Sequence, residues 1–211
     1  RDIVADLVEL MVLGHGFDAL VLIASGDKVL PGMLMAAARL NIPTILLYGG
    51  PTKYGVADGK KVFLETVYDG IGEVERGLIT DDILADYEEN LFPFSGACDT
   101  ATSGNTAGIY SEALGMALPG SGTLPAGSNF QVRAAKRTGM QIMQLLEKNI
   151  LPSDIMTPEA FENAIRVALS VSGSTNMVLH LIAIGIEMGV EIDFDTFDRL
   201  GRDTPTLVKL A

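Results

Sequence analysis

Three glycine-rich polar loops hold most of the residues able to do chemistry in this chain. The first, Ser25-Gly26-Asp27-Lys28, lies between an apolar run at residues 19–24 and a helical stretch at residues 31–40. Free backbone N–H groups in such a turn favour an anion, Lys28 adds a positive charge, and Asp27 offers a hard oxygen suited to Mg2+. A simple solvated loop accounts for Asp27 and Lys28 equally well. The second loop, Phe94-Ser95-Gly96-Ala97-Cys98-Asp99-Thr100, sets a thiol among small residues just before a helix. A helix N-terminus lowers the pKa of a nearby thiol, although a single cysteine is more often an inert buried apolar residue than a ligand. The third spans residues 118–125, where glycines permit close backbone approach and also make turns. Ser174-Thr175-Asn176 opens the last apolar helix, a position that serves N-capping or anion contact. His180, inside that helix, reads as a satisfied core histidine. Neither a GxSxG elbow nor a Walker loop is present.

The elements that must position these loops are legible from periodicity. Residues 19–24 and 44–48 are short apolar runs separated by the first loop and a helical stretch, which is a βαβ unit. Continuous apolar strands of this kind belong in a parallel sheet covered on both faces, with ligands collecting at the carboxyl ends of the strands. Residues 2–13 read as a helix with Ile3, Leu7, Leu10 and Met11 on one face. From about residue 60 the chain turns mainly helical. Residues 81–91 form an acidic helix and residues 104–116 a small-residue one. Residues 130–149 place Val132, Ala135, Gly139, Met143, Leu146 and Ile150 at core spacing, with Arg133, Lys136 and Arg137 opposite. Thr157-Pro158-Glu159 is a helix start, followed by Phe161, Ala164, Ala168 and Val171 facing inward. The last apolar helix, residues 175–188, ends at Gly189. The expected class is therefore α/β: a three-layer domain with a parallel-strand βαβ core and a helix-rich second half, residues 1–211 forming one domain.

Composition narrows the function classes. At 211 residues and 48% hydrophobic content the chain can bury a sizeable core. Its apolar runs are too short to cross a bilayer, so no membrane partner is expected. A formal charge of −12 disfavours a polyanionic partner, and no nucleic acid is expected. Cys98 alone supports no disulfide framework, and with only His15 and His180 there is no CxxC or paired-His spacing for zinc. A reducing cytoplasm fits that usage. The first residues resemble no secretory signal and no initiator Met is present, so the chain is expected to begin inside a longer protein.

Taken together these segments resemble one known family. Asp27-Lys28 followed by Pro31-Gly32-Met33, Arg39 and Pro43 is similar to the Cys-Asp-Lys and Pro-Gly-Met signature of the dihydroxy-acid dehydratase and phosphogluconate dehydratase family, and Gly49-Gly50-Pro51 matches as well. Gly96-Ala97-Cys98, Asn105-Thr106, Glu112-Ala113-Leu114-Gly115-Met116 and Leu118-Pro119-Gly120 resemble its second cysteine-bearing stretch. Gly173-Ser174-Thr175-Asn176, His180 and Phe194-Asp195-Thr196-Phe197-Asp198-Arg199 match its later helices. The resemblance implies a hydro-lyase that removes water from a 2,3-dihydroxy carboxylic acid, branched-chain or sugar-derived, to give a 2-keto acid. It also implies an iron–sulfur cluster whose open iron takes the departing hydroxyl, and Mg2+ on the carboxylate and 2-hydroxyl. By the same resemblance Asp27 is a Mg2+ ligand, Lys28 a catalytic carbamate at that metal, and Cys98 a ligand of cluster iron. Ser174 and Thr175 are read as substrate-binding, and a homo-oligomer is expected.

Two stretches depart from the family pattern. Gly26 stands where the family has a cysteine, and Asp99-Thr100-Ala101 where it runs Gly-Gly-Met. A further cluster cysteine is expected before Arg1, and a second domain with the base after Ala211. The isolated chain is therefore expected to hold no cluster and to show no dehydratase activity. The rival reading is a non-catalytic descendant serving as a small-anion-binding or oligomerisation module.

Overall fold

The computed structural model describes residues 1–208. Its centre is the βαβ unit: β1 (Leu20–Ala24), α2 (Val29–Leu40) and β2 (Thr44–Tyr48), preceded by α1 (Asp2–His15). The strands pair in parallel, Leu20 with Thr44 through Ala24 with Tyr48. A further parallel bridge joins Leu46 to Ala117, so β2 is the inner strand and all five of its residues are buried. Side chains alternate across a strand. Leu46 and Tyr48 accordingly enter the main core with Leu30 and Leu34 of α2, while Ile45 meets Ile142 and Leu145 on the opposite face. Those last two belong to α6 (Asn129–Lys148), which completes a helix–sheet–helix sandwich.

The second half is helical, as its periodicity demanded. α5 (Ser103–Ala113) packs on α8 (Pro158–Ser170), and α2 packs on α9 (Asn176–Met188). The short α7 (Pro152–Ile155) and α10 (Phe194–Asp203) complete this half. The start of α8 is capped as expected, Thr157 Oγ1 accepting from the Ala160 amide at 3.3 Å, and α9 ends on left-handed Gly189.

Four expectations are corrected. The sheet is not covered on both faces throughout: Val21 and Ile23 of β1 are 40% and 63% exposed, because β1 is an edge strand. α1 exposes Ile3, Leu7, Leu10 and Met11 and buries Ala5 and Val12 instead. Beside that buried stripe Arg39 of α2 binds Asp6 at 2.7 Å and Glu9 at 3.3 Å. α6 buries Ala134, Thr138, Ile142 and Leu145, while Val132, Ala135, Gly139, Met143 and Leu146 are exposed. The buried stripe therefore lies on a different side of that helix. Finally, a hairpin of β3 (Gly55–Ala57) and β4 (Lys60–Val62) precedes the helical half. Asp58 and Gly59 turn it with φ of 48° and 70°, the pair of positive values that an Asp-Gly hairpin turn uses. With α3 (Leu64–Glu75) and α4 (Asp81–Asn90) the hairpin closes a small satellite core around Ala57, Val62, Val67 and Tyr87.

Candidate functional site

The Gly26-Asp27-Lys28 turn leaves β1 at its carboxyl end and feeds α2, which begins at Val29 rather than at Pro31. Gly26 adopts φ 98°, a conformation open to glycine and costly for a side-chain-bearing residue. The turn meets the Cys98 loop at the start of α5. A Cβ placed on Gly104 would lie 3.4 Å from the Gly26 Cα and 3.5 Å from the Ala97 Cβ. Two loops 70 residues apart in the chain thus share one wall.

Asp27 is half exposed and paired with the Lys28 Nζ at 2.8 Å. Desolvation alone would raise its pKa, but the Lys28 hydrogen bond and charge, with His180 and Ser103, hold it below the ordinary carboxylate value. His180 is 2% exposed, and its Nε2 lies 3.5 Å from Asp27 Oδ1, while Nδ1 is buried without a partner among the described residues. It is thus not the satisfied core histidine expected. Desolvation and the Lys28 charge lower its pKa against the opposing pull of Asp27, so the ring is neutral at pH 7. Asn176, one turn before His180, donates to Ser103 Oγ at 2.5 Å. Their i, i+4 spacing put both on one face, the one sequence signal that pointed to this pair.

Ser174 and Thr175 lie at the start of α9, and Ser174 is bonded both within that turn and to α5. Its hydroxyl accepts from the Asn176 amide at 3.3 Å, and its own amide donates to Thr106 Oγ1 at 2.9 Å. Thr175 is exposed. The loop at residues 118–125 has amides already in use, Gly120 and Gly122 each donating to the Glu112 carboxylate at 2.7 Å.

The Cys98 loop is stitched on both sides. Ala97 donates to Gly50 O at 2.8 Å and accepts from the Thr52 amide at 2.9 Å. Asn105 of α5 donates to Cys98 O at 2.7 Å and to Thr100 O, and accepts from Tyr48 Oη at 2.5 Å. Burial pushes the Tyr48 hydroxyl's pKa up, so it stays protonated and serves as a donor. Sequence reasoning passed over Asn105 as an organiser, because its partner hydroxyl comes from Tyr48, 57 residues away.

Asp99, beside Cys98, accepts from the Leu64 amide through Oδ1 at 3.4 Å, while Oδ2 is buried without a partner among the described residues. Burial raises its pKa and the Leu64 amide only partly offsets it. For an acid raised on folding, the ionised form opposes folding above the folded pKa, and the penalty vanishes once pH falls below the unfolded value. Asp99→Asn is therefore expected to stabilise the domain at pH 7 by about 1 kcal/mol, an unsatisfied-group cost discounted for partial exposure. Urea melts of both proteins from pH 7 to pH 3 check this: the difference should shrink towards acid pH, and a gain that persists at pH 3 would refute the charge argument.

Among the described residues no three His, Cys, Asp or Glu side chains gather round a common point. An iron–sulfur cluster needs several thiolates, and Gly26 supplies none, so the residues present do not fit a cluster. They do not fit a bound Mg2+ either, because Asp27 is one carboxylate already neutralised by Lys28. No helix among the described residues is long and apolar enough to cross a membrane.

The family model described as dihydroxy-acid/6-phosphogluconate dehydratase N-terminal matches residues 1–211. Among curated proteins the chain is 48% identical over 211 residues to a dihydroxy-acid dehydratase of Moorella thermoacetica, 49% to one of Maridesulfovibrio salexigens and 47% to one of Pyrococcus abyssi. In each case the match covers 100% of this chain and 38% of the relative.

Proposed function

Because the chain belongs to the dihydroxy-acid/6-phosphogluconate dehydratase N-terminal family, we propose that it supplies one wall of a hydro-lyase site that converts a 2,3-dihydroxy carboxylic acid to a 2-keto acid. The observation that carries this reading is the meeting of the Gly26-Asp27-Lys28 turn and the Cys98 loop at the N-terminus of α5. The chain spans 38% of the length of the relatives it matches, so the activity is proposed for the complete polypeptide.

Within that site the roles open to this chain's own side chains are positioning and charge. Lys28 and Asp27 present a paired ammonium and carboxylate to the crevice, and neutral His180 with Ser103 fixes the carboxylate from behind. An anionic substrate would be drawn to Lys28 and to free amides at the turn. Ser174 and Thr175 remain proposed substrate contacts, Asp27 and the carbamate form of Lys28 proposed Mg2+ ligands, and Cys98 a proposed cluster ligand, each requiring partners outside this set. A homo-oligomer in a reducing cytoplasm completes the proposal.

One observation favours a second reading, a non-catalytic scaffold: Gly26 brings no thiol to the wall it shares with the Cys98 loop. Anaerobic reconstitution of this chain, with iron and sulfide analysis and a keto-acid assay on dihydroxy acids, separates the two. The expected outcome for the isolated chain is no stoichiometric cluster and no keto acid above the blank. In the complete polypeptide the hydro-lyase reading requires keto-acid formation that Cys98→Ala abolishes. Its absence, together with a colourless protein, would leave the scaffold reading.

A further inference from the structure

Helix α6 differs from the rest of this acidic molecule. The chain has 27 acids against 15 Lys and Arg, yet the 20 residues of α6 contain one acid, Glu147, at the helix's far end. Its first half carries Arg133, Lys136 and Arg137, which are neighbours on one face by their three- and four-residue spacing. The ion pairs formed by Lys and Arg among the described residues engage Arg1, Lys28, Arg39, Arg199 and Arg202, and none of these three. Like charges at that spacing repel by about 0.2–0.5 kcal/mol per pair, and no neighbouring acid on the helix offsets it.

The three cations open onto a cavity of about 690 Å³ between α6 and the Pro119-Gly120 loop, whose remaining walls are Leu124 and Phe130. This size lies within the range of small-molecule sites. The Arg133 guanidinium stands 4.7 Å above the Phe130 ring centroid, a cation–π contact that holds it at the cavity wall. Glu112, the acid nearest the loop, is occupied by the Gly120 and Gly122 amides. None of the lining residues belongs to the Gly26-Asp27-Lys28 turn or to the Cys98 loop.

We propose that this cavity binds a small phosphomonoester with an apolar body. A phosphomonoester carries about −1.5 to −2 charges at neutral pH and three strong acceptor oxygens, which matches three convergent cations better than a single carboxylate does. Arginine forks bind phosphate in two parallel hydrogen bonds. Phe130, Leu124 and Pro119 supply the apolar surface for the remainder of the ligand.

Calorimetric titration of the chain with phenyl phosphate and with inorganic phosphate, at low ionic strength, tests the site. Phenyl phosphate is expected to saturate with a Kd below about 1 mM, at least about threefold tighter than inorganic phosphate. The double change Arg133→Ala and Arg137→Ala should weaken it about tenfold or more with an unchanged melting temperature, since both side chains are exposed. Lys28→Ala should leave it unaltered. Absence of saturation up to about 10 mM overturns the site. Binding that survives the double arginine change but is lost in Lys28→Ala also overturns it, by assigning the anion to the β1 turn. Equal affinity for the two probes overturns the apolar body.

Discussion

In an Asn105→Ala variant the Cys98 thiol is expected to react with a disulfide reagent about 30-fold faster than in the parent, because the loop that carries it loses its anchor. The Asn105 side chain bonds both Cys98 O and Thr100 O while receiving the buried Tyr48 hydroxyl. Each lost bond is worth about 1 kcal/mol, so removing the two that grip the loop lowers its opening free energy by about 2 kcal/mol, and 1.4 kcal/mol is a factor of ten. The orphaned Tyr48 hydroxyl adds a global cost of about 1–3 kcal/mol. Stopped-flow thiol titration and urea unfolding measure the two effects separately. A reaction rate within about twofold of the parent would show that the Gly50 and Thr52 backbone contacts hold the loop without Asn105.

The Gly50→Ala change should be the most damaging single-methyl addition near the site. Gly50 ends the segment leaving β2 with φ 86°, and a Cβ there would overlap the Leu124 carbonyl oxygen and come 2.8 Å from the Ala126 amide nitrogen. The same segment accepts from that amide through Pro51 O at 2.9 Å and supports Ala97 on its other side. A left-handed alanine costs about 1–2 kcal/mol, and a clash with backbone, which has no rotamer to yield, adds about 1–3 kcal/mol or more. The expected total of about 2–5 kcal/mol corresponds to a melting temperature lower by about 10 °C in a domain of this size. Gly59→Ala is the control, since its φ of 70° is also positive but no heavy atom lies within 4 Å of the added methyl. It should lose only about 1–2 kcal/mol. Equal losses in the two variants would remove close approach from the explanation and leave backbone conformation alone.

These two glycines illustrate what a sequence exposes and what it conceals. Asp58-Gly59 is a local turn signal, readable without any knowledge of the fold. Gly50 sits in a Gly-Gly-Pro run that also reads as a turn, and its sensitivity comes from residues 124–126, more than 70 positions away. The apolar faces of α1 and α6 follow the same division. Periodicity located both helices, but which side is buried depended on partners: α2 packed against the Ala5 side of α1, and Ile45 packed against Ile142 and Leu145 of α6.

At the candidate site, sequence alone determined the residue types and their loops: Asp27 and Lys28 after β1, Cys98 before α5, Ser174 and Thr175 before α9, and the family they resemble. These features are local, set by strand, turn and helix-start chemistry within a few residues. Only the tertiary structure decided that Gly26 lies against the wall of the Cys98 loop, that His180 faces Asp27 across 153 positions of chain, and that Asn105 ties Tyr48 to the cysteine loop. The physical reason is range: hydrogen bonds and packing act over a few ångströms, and the positions that meet at such distances are chosen by how the sheet and its helices close on one another.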